Sequence, residues 1–253
     1  MPLYTADALV LRTYRLGEAD RIVVFLTADR GKKRGVAKSA RRPKSRFVGA
    51  LEPLTHVRVA YFEKETRELV GMNYAEALRS PLSGPSESVG HASYFAELLD
   101  EWAQADDPSE TLFRLGASVL DAMAAGVAID PLARYFEYWL LRLQGVYPPH
   151  LVCHHCDARF GGSSAGAWLS PFDGVLTCAA CADGVAAHRG ASLSSGALGF
   201  LSEARTKPPH AMGEIGGGPG VMAELEAVHR LLMARHLERE LRSPRVLRAI
   251  QRG

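Results

Sequence analysis

Two pairs of cysteines lie in the second half of the chain, and cysteine thiolates are good ligands for zinc. The pairs are Cys153-His154-His155-Cys156 and Cys178-Ala179-Ala180-Cys181, and 21 residues separate them. Two intervening residues allow both thiolates of one turn to face the same ion, and four thiolates complete a closed tetrahedron. The spacing therefore predicts one structural Zn²⁺ per chain, bound by these four cysteines in an insertion at residues 150–190.

Other interpretations of the cysteines remain open from the sequence. The four residues could form two disulfides or a redox pair, or the site could stay empty. His154 or His155 could also replace a cysteine as a ligand, although the central residues of a tight turn are expected to be exposed. A catalytic zinc is disfavoured, because four cysteine ligands leave no open position for water.

A second group of residues has the chemistry to bind a polyanion. No acidic residue stands between Asp29 and Glu52, and nine basic residues do: Arg30, Lys32, Lys33, Arg34, Lys38, Arg41, Arg42, Lys44 and Arg46. Cations at this density repel one another unless a polyanion such as a phosphate backbone neutralises them, which also releases counterions. We interpret the nine as DNA-binding residues; a solvated basic loop or a localisation-type tract is the alternative.

The rest of the chain has the opposite charge. The net charge is +2, and outside the basic segment 21 Lys and Arg stand against 28 Asp and Glu, which leaves about −7. A mildly acidic body suits protein partners. No apolar run approaches the ~18 residues of a membrane span, and the N-terminus lacks the pattern of a secretion signal. We therefore expect a cytoplasmic protein with no membrane contact, and in the cytoplasm disulfides are rare.

Short strands are the elements that must position the basic segment. Strand patterns occur at residues 8–14, 21–27, 35–37, 55–61 and 69–74, and one face of the fourth consists of Thr55, Val57, Val59 and Tyr61. Five such strands fit the OB-fold, the five-stranded Greek-key barrel of oligonucleotide binders, with an SH3-like barrel as the alternative. Four aromatic residues could stack on bases: Tyr14, Phe25, Phe47 and Tyr61. For Phe25 and Phe47 a position in the core is favoured.

From residue 79 the spacing of apolar residues becomes helical. Asp107-Pro108 and Asp130-Pro131 suit helix starts, Ser192 or Ser194 suits a later N-cap, and residues 207–220 predict a mobile loop. A long last helix has a basic end: Arg235, Arg239, Arg242, Arg245, Arg248 and Arg252. The predicted fold class is α+β, with an OB-fold DNA-binding domain at residues 1–78 and a helical domain at residues 79–253 that carries the zinc-binding insertion.

Several enzyme motifs are missing from the sequence. It contains no G-x-x-x-x-G-K-[ST] or H-E-x-x-H motif, and no G-x-G-x-x-G follows a strand. The acidic pairs Asp100-Glu101 and Asp106-Asp107 are interpreted as helix caps and solvated faces, so no carboxylate cluster for a nuclease metal stands out. We predict that the protein is not an enzyme, with a zinc-dependent hydrolase or nuclease as the disfavoured alternative.

Short stretches along the chain carry a family resemblance. They are Ala8-Leu9-Val10-Leu11-Arg12, Gly17-Glu18-Ala19-Asp20-Arg21-Ile22-Val23, Leu26-Thr27 with Gly31-Lys32, Ala37-Lys38-Ser39-Ala40-Arg41-Arg42 with Lys44-Ser45, and Leu241-Arg242-Ser243. In their order and spacing the chain resembles, from end to end, the RecO family of bacterial recombination mediators. It departs from that family at Ser39, where glycine more often follows Ala-Lys, and at Gly216-Gly217-Gly218.

The resemblance implies a non-enzymatic DNA-repair protein. RecO-like proteins bind single- and double-stranded DNA and anneal complementary strands. They work with RecR, and with RecF in the RecFOR pathway, to load RecA onto DNA coated with single-strand-binding protein, whose acidic C-terminal tail they also dock. The location implied is cytoplasmic and associated with the nucleoid. Lys and Arg contacts to phosphates suit annealing because they are independent of sequence. An adaptor that mainly docks proteins, with secondary DNA contact, is the alternative function.

Overall fold

The described part of the chain forms two compact units. The computed structural model describes residues 2–64, 66–85, 88–160, 166–182, 190–215, 217–237 and 241. One unit comprises Met1–Gly126 with Leu241–Gly253, and the other comprises Val127–Glu240. Five arginines of the predicted basic end lie outside the described residues: Arg239, Arg242, Arg245, Arg248 and Arg252. No helix among the described residues combines the length and the hydropathy that a bilayer span requires.

Five strands of the first unit close into a barrel. They are β1 (Leu3–Leu16), β2 (Asp20–Thr27), β3 (Gly31–Ala37), β4 (His56–Phe62) and β5 (Val70–Arg79). Their order is β1-β2-β3-β5-β4, with β3 and β5 parallel and the other neighbouring strands antiparallel. This is the Greek-key arrangement of the OB-fold. The predicted α+β class with an N-terminal five-stranded OB-fold is therefore confirmed, and the SH3-like alternative is not supported.

Strand β3 begins at Gly31, ahead of the predicted start at Gly35. Gly31 has a φ of 67°, and the backbone of Asp107 occupies the space that a Cβ would need, so glycine is required at this tight turn. Lys32, Lys33 and Arg34 consequently lie on the strand and pair with β2. Their charges concealed the strand, because three consecutive cations show no alternation of apolar and polar residues.

Inward-pointing strand residues build the barrel core. The predicted face of β4 is confirmed, since all four of its residues are buried: Thr55, Val57, Val59 and Tyr61. The ring of Tyr61 packs between Tyr4 and Phe25, with centroids 5.6 Å apart in both pairs. Such tilted and edge-on aromatic contacts stabilise a core beyond the apolar area that they bury.

Two helices of the first unit pack against the barrel. A 3₁₀ turn (Pro81–Ser83) precedes α1 (Ser88–Trp102), and α2 (Glu110–Ala124) follows. Gly116 of α2 lies against Leu9 and Leu99, and an added Cβ would come within 2.6 Å and 2.8 Å of their side chains. A side chain at this position would therefore push the helix away from its neighbours.

Acidic residues of α1 face cations of the barrel. Arg12 lies 3.7 Å from Glu97, 3.1 Å from Asp100 and 3.6 Å from Glu101. Burial by itself lowers the pKa of Arg12, but Asp100 and the other partners outweigh burial and raise it. The interpretation of Asp100-Glu101 as a solvated acidic face is wrong, because both side chains are largely buried in this contact.

The second unit is mainly helical. It contains α3 (Ile129–Leu143), α4 (Ser195–Thr206) and α5 (Gly218–His236). It also contains three short strands that the sequence did not predict: β6 (Ala167–Leu169), β7 (Leu176–Cys178) and β8 (Ala191–Leu193). They form an antiparallel sheet with β6 in the middle, in the order β7-β6-β8. Ser194 caps α4 as predicted, because its hydroxyl accepts from the N–H of Ala197 at 3.1 Å. The prediction of a mobile loop at residues 207–220 is wrong for Pro209–Glu214. This segment forms a 3₁₀ helix, and its Met212 is buried.

A buried polar network lies among the helices of the second unit. His229 is fully buried, with Nδ1 2.8 Å from Glu137 Oε2 and Nε2 3.1 Å from the hydroxyl of Tyr147. Arg134 Nη2 lies 3.0 Å from the other oxygen of Glu137. Burial lowers the pKa of His229 by more than Glu137 raises it, so the imidazole is neutral near pH 7. His229 is therefore a core residue of the second unit, with a hydrogen-bond partner at each ring nitrogen.

Candidate nucleic-acid interface and metal centre

Carboxylates neutralise two cations on the strand part of the basic segment. Lys33 is 8% exposed, and its Nζ lies 2.7 Å from Glu63 Oε1 and 2.6 Å from Asp106 Oδ1. Burial by itself lowers the pKa of Lys33, but the hydrogen bonds to Asp106 and Glu63 outweigh burial and raise it. Lys32 Nζ lies 3.2 Å from Asp100 Oδ1 and also donates to the Asp100 carbonyl. Both ammonium groups are thus engaged inside the first unit.

The two arginines of this strand part are only partly engaged. Arg30 stacks on the ring of Tyr4, with its guanidinium carbon 3.9 Å from the centroid, and its Nε lies 3.7 Å from Asp29. Arg34 lies 3.6 Å from Glu68, and half of its side chain is exposed. Pairs of this kind at the surface are weak, so both arginines remain able to meet an anion from solvent.

The loop part of the basic segment holds its cations in water. We name residues 38–46 the cation loop. Its five basic residues are all exposed, and within the described ranges none of them forms a salt bridge: Lys38, Arg41, Arg42, Lys44 and Arg46. The nine cations predicted from the sequence are thus split into two parts. One is the strand part, which consists of Arg30 just before β3 and three residues at the start of β3, and the other is the loop that follows β3.

Hydrogen bonds to the β1–β2 turn fix the start of the cation loop. The N–H of Ser39 donates to Asp20 Oδ1 at 2.7 Å, and the N–H of Arg41 donates to the Ala19 carbonyl at 3.0 Å. The guanidinium of Arg41 donates to the Glu18 carbonyl at 2.7 Å. Ser39 has a φ of 56°, in the left-handed region that favours glycine. This backbone gives a physical reason for the glycine that the resemblance led us to expect there.

The aromatic residues considered for base stacking have different positions. Phe25 and Phe47 are buried, which confirms the core role favoured for both. The suggestion that Tyr61 offers a stacking platform is wrong, because its ring is fully buried. Tyr14 is 43% exposed and keeps a face that a base could reach.

A groove on the barrel surface adds two cations that the sequence pattern did not single out. The groove has a volume of about 330 Å³, and Lys64 and Arg67 of the β4–β5 connection line it together with Lys38 and Arg46. Parallel pairing of β3 with β5 brings these distant segments together, which a reading along the chain could not anticipate. The sequence offered one signal for this pair of cations. Lys64 and Arg67 stand between two predicted strands, as the cation loop does.

The four cysteines of the second unit converge on one point. Their Sγ atoms all lie within 4.8 Å of one another, and those of Cys156 and Cys178 are 3.7 Å apart. Zinc–sulfur bonds of about 2.3 Å in a tetrahedron require sulfur–sulfur distances of roughly 3.8 Å. All four cysteines are free thiols. Their arrangement therefore fits a metal ion with four sulfur ligands.

Two backbone turns present these thiols. The N–H of Cys153 donates to the Ala158 carbonyl at 2.8 Å, and the N–H of Cys181 donates to the Cys178 carbonyl at 3.1 Å. The N–H of Cys178 donates to Cys153 Sγ at 3.4 Å. His154 and His155, the central residues of the first turn, are both exposed, as expected from the sequence.

Hydrogen bonds within the cluster shift the pKa of two thiols in opposite directions. Burial raises the pKa of Cys153, but N–H donors from Cys178, His155 and Cys156 outweigh burial and lower it to about 6. Hydrogen bonds with Cys156 and Cys178 raise the pKa of Cys181 to about 12. Without a cation, therefore, the cluster holds some of its protons, and a bound metal ion would displace them.

One enzyme-like motif occurs between the two cysteine pairs. Gly162-Ser163-Ser164-Ala165-Gly166 has the letters G-x-S-x-G, a motif that in hydrolases requires a strand before the serine and a helix after it. Residues 161–165 lie outside the described residues, but strand β6 (Ala167–Leu169) follows directly after Gly166. The motif is therefore followed by a strand, whereas the hydrolase motif requires a helix after the serine.

Two sequence models of one protein family cover most of the chain. Recombination protein O N terminal matches residues 1–81, and Recombination protein O C terminal matches residues 86–245. The DNA repair protein RecO of Koribacter versatilis is 37% identical over 70% of this chain and 72% of its own. Those of Pelotomaculum thermopropionicum and Heliobacterium modesticaldum are each 31% identical, over 96% and 100% of this chain and 93% and 92% of their own. The chain therefore belongs to the recombination protein O family of DNA repair proteins, as its resemblance to RecO indicated.

Proposed function

We propose that this protein is a non-enzymatic recombination mediator that binds single- and double-stranded DNA without sequence preference and anneals complementary strands. Its place in a family of DNA repair proteins supports the role. The observation that carries the DNA-binding part is the set of five exposed cations on the cation loop without carboxylate partners among the described residues. Phosphate contacts are blind to base order, and annealing any pair of complementary strands requires that property.

In this proposal the nine predicted DNA-binding residues have three roles. The cation loop supplies the principal phosphate contacts. Arg30 and Arg34, which are partly exposed, flank it and add to its field. Lys32 and Lys33 serve the fold of the first unit instead, because their charges are already neutralised by carboxylates.

Charge reversal in the cation loop tests this assignment. In the variant Lys38→Glu/Arg41→Glu/Arg42→Glu/Lys44→Glu we expect loss of DNA binding in a fluorescence anisotropy titration and loss of strand annealing. The fold should persist, because all four side chains are exposed. Arg114→Glu with Arg230→Glu, two exposed cations on α2 and α5, serves as the control and should bind normally. Unchanged affinity of the loop variant would show that DNA binds elsewhere.

Salt dependence gives an independent measure of the same contacts. If about 4–6 phosphates are neutralised, the logarithm of the association constant for single strands should fall with the logarithm of salt concentration with a slope of about −3 to −4. A slope near zero would exclude phosphate contacts as the main source of affinity.

We further propose that the cysteine cluster holds one structural Zn²⁺ per chain. The support is the convergence of four sulfur atoms within 4.8 Å of one another, and zinc in such a site would stabilise the segment around the two turns. Elemental analysis of the purified protein should find about one zinc per chain. Cys156→Ser should lose the metal, whereas His154→Ala with His155→Ala should keep it. Zinc loss from the histidine variant would mean that the ligand set is not the four cysteines alone.

We also propose the partners and the location that the family suggests. These are RecR, RecF, RecA and the acidic tail of single-strand-binding protein, met in the cytoplasm at the nucleoid. The domain division at residues 1–78 and 79–253, with the metal-binding insertion at 150–190, belongs to the same proposal. Size-exclusion chromatography of mixtures with each purified partner would test the assemblies one by one.

An adaptor that mainly docks proteins is the second candidate function. Phe172 favours it, because the ring is 67% exposed and Arg235 stacks on it with its guanidinium carbon 3.8 Å from the centroid. An exposed ring beside a cation suits an acidic peptide with an apolar residue. If this function dominates, a tail peptide of single-strand-binding protein should bind tightly, Phe172→Ala should weaken it, and direct DNA binding should be weak.

A further inference from the structure

We propose that the groove between β3, β5 and the β4–β5 connection binds one unstacked nucleotide and so selects single-stranded DNA over duplex. The inference rests on the proposed DNA-binding function and deepens it, because it assigns a strand preference and residues outside the predicted set. In this proposal a base enters a notch in the sheet, and the cations around the notch hold the adjoining phosphates.

The notch arises from the register of three strands. Gly71 of β5 is paired with Val36 of β3 on one side and with Phe62 of β4 on the other. Its missing side chain leaves a gap between two partly exposed apolar neighbours. An added Cβ would find no atom within 4 Å, and the backbone of Gly71 lies outside the left-handed region that favours glycine. Packing and backbone conformation therefore do not require glycine here, and a glycine in such a position allows close approach of a ligand to the strand.

The walls of the notch suit the flat face of a base. Phe62 and Leu69 line the groove and are partly exposed. An aromatic ring beside aliphatic side chains offers a stacking surface for any base, because every base has a π-face. The volume of about 330 Å³ lies at the small end of ligand pockets, which suits one nucleotide and not a longer stretch.

The rim of the groove suits phosphate and the polar edge of a base. Four cations line it: Lys38, Arg46, Lys64 and Arg67. Asn73, which also lines the groove, accepts a hydrogen bond from Arg46 Nη1 at 3.1 Å. Its amide N–H groups are donors that could meet a base edge. Within the described part of the chain, Lys64 and Arg67 form no salt bridge, so their charges are available.

A duplex cannot use this notch without being opened. Its bases are stacked on both faces, and extruding one costs a few kcal/mol. A single strand offers unstacked bases at little cost. The cation loop meets phosphates of either form, so the notch adds affinity for single strands alone.

Filling the notch tests the inference. Gly71→Val adds a strand-favouring side chain into open space, so the fold should persist, and circular dichroism would check it. Loss of base stacking should weaken binding of fluorescein-labelled oligo(dT) by about 5- to 100-fold. Binding of a blunt duplex of equal length, and of an abasic single strand, should change less than about twofold. Arg58→Gln, an exposed cation of β4 outside the groove, is the control and should affect no probe.

A second variant keeps the inference testable without a change in the sheet. Lys64→Gln with Arg67→Gln alters exposed side chains only, and it should weaken oligo(dT) more than duplex. Equal loss of oligo(dT) and duplex binding in this double variant, or unchanged oligo(dT) binding by Gly71→Val, would overturn the inference about the notch. Either result would leave the proposed DNA-binding function standing. If the unaltered protein binds neither oligo(dT) nor duplex, both the notch and the proposed DNA-binding function are overturned.

Discussion

The two parts of the basic segment differ in what surrounds their cations. On β3, the charges of Lys32 and Lys33 are matched by Asp100, Glu63 and Asp106 at distances of 3.2 Å or less. A few residues later, the five cations of the cation loop are exposed and form no salt bridge within the described residues. A run of charge in a sequence therefore does not by itself define a binding surface. Carboxylates contributed by distant segments decide which cations remain available.

The position of each part in the fold explains the difference. Strand β3 crosses the end of α1, where Lys32 donates to a main-chain carbonyl of the last helical turn and so complements the helix dipole. The cation loop leaves the barrel after Ala37 and returns at Phe47, which is buried. Between these two points the chain lies at the surface, where cations remain hydrated. Lys32 and Lys33 of the strand therefore stabilise the fold, whereas the exposed cations of the loop remain accessible to an anion from solvent.

The largest expected effect contrasts equal losses of charge in the two parts. Arg41→Gln with Arg42→Gln should weaken single-strand binding by about 20-fold at 0.1 M salt and reduce the salt slope by about 1.4, since each phosphate contact contributes about 0.7. Lys32→Gln with Lys33→Gln removes as many charges but should leave affinity within about twofold. Anisotropy titrations at several salt concentrations would measure both. Equal losses in the two variants would contradict the division of the segment.

The next effect concerns stability. Lys33→Met removes a buried ammonium and leaves Glu63 and Asp106 unpaired, but those carboxylates are 30% and 70% exposed and can hydrate. The free energy of unfolding in urea should therefore fall by about 1–2 kcal/mol, less than for a fully buried pair. Arg34→Gln on the same strand breaks a largely exposed pair and should cost less than about 0.5 kcal/mol. A smaller loss at Lys33 than at Arg34 would contradict the structural role of Lys33.

Alternation and spacing predicted the features that depend on local sequence. The faces of β4 and the cap at Ser194 follow from residues a few positions apart. The convergence of the four cysteines follows from two C-x-x-C pairs at a spacing that is typical of metal sites. The partners of Lys32 and Lys33 could not be predicted in this way, because Asp100 and Asp106 are more than 60 residues away. The groove required the parallel pairing of β3 with β5, and Tyr61 was misjudged because an alternating pattern does not say which face is inside.

A pH dependence should follow from the raised pKa of Lys33. A cation whose pKa is raised by folding contributes its stability below its ordinary pKa of 10.5, and loses it as pH rises through the folded pKa. The difference in unfolding free energy between the unaltered protein and Lys33→Met should thus be constant around neutral pH and shrink above about 10.5. Lys33→Arg is the control, because a guanidinium stays charged there. A difference that persists undiminished in strong alkali would rule out ion pairing as its source.

The smallest expected effect tests whether the cation loop has a fixed conformation before DNA binds. Ser39 is held at a φ of 56°, a conformation that costs a residue with a Cβ roughly 1 kcal/mol. Ser39→Gly removes that cost and keeps the backbone hydrogen bond to Asp20, although glycine loses more entropy on folding. The free energy of unfolding should rise by less than about 1 kcal/mol. Ser39→Ala retains the Cβ and should give no gain. Destabilisation by glycine would mean that the strained backbone does not persist in the free protein, and that the loop cations are not held in position before DNA binds.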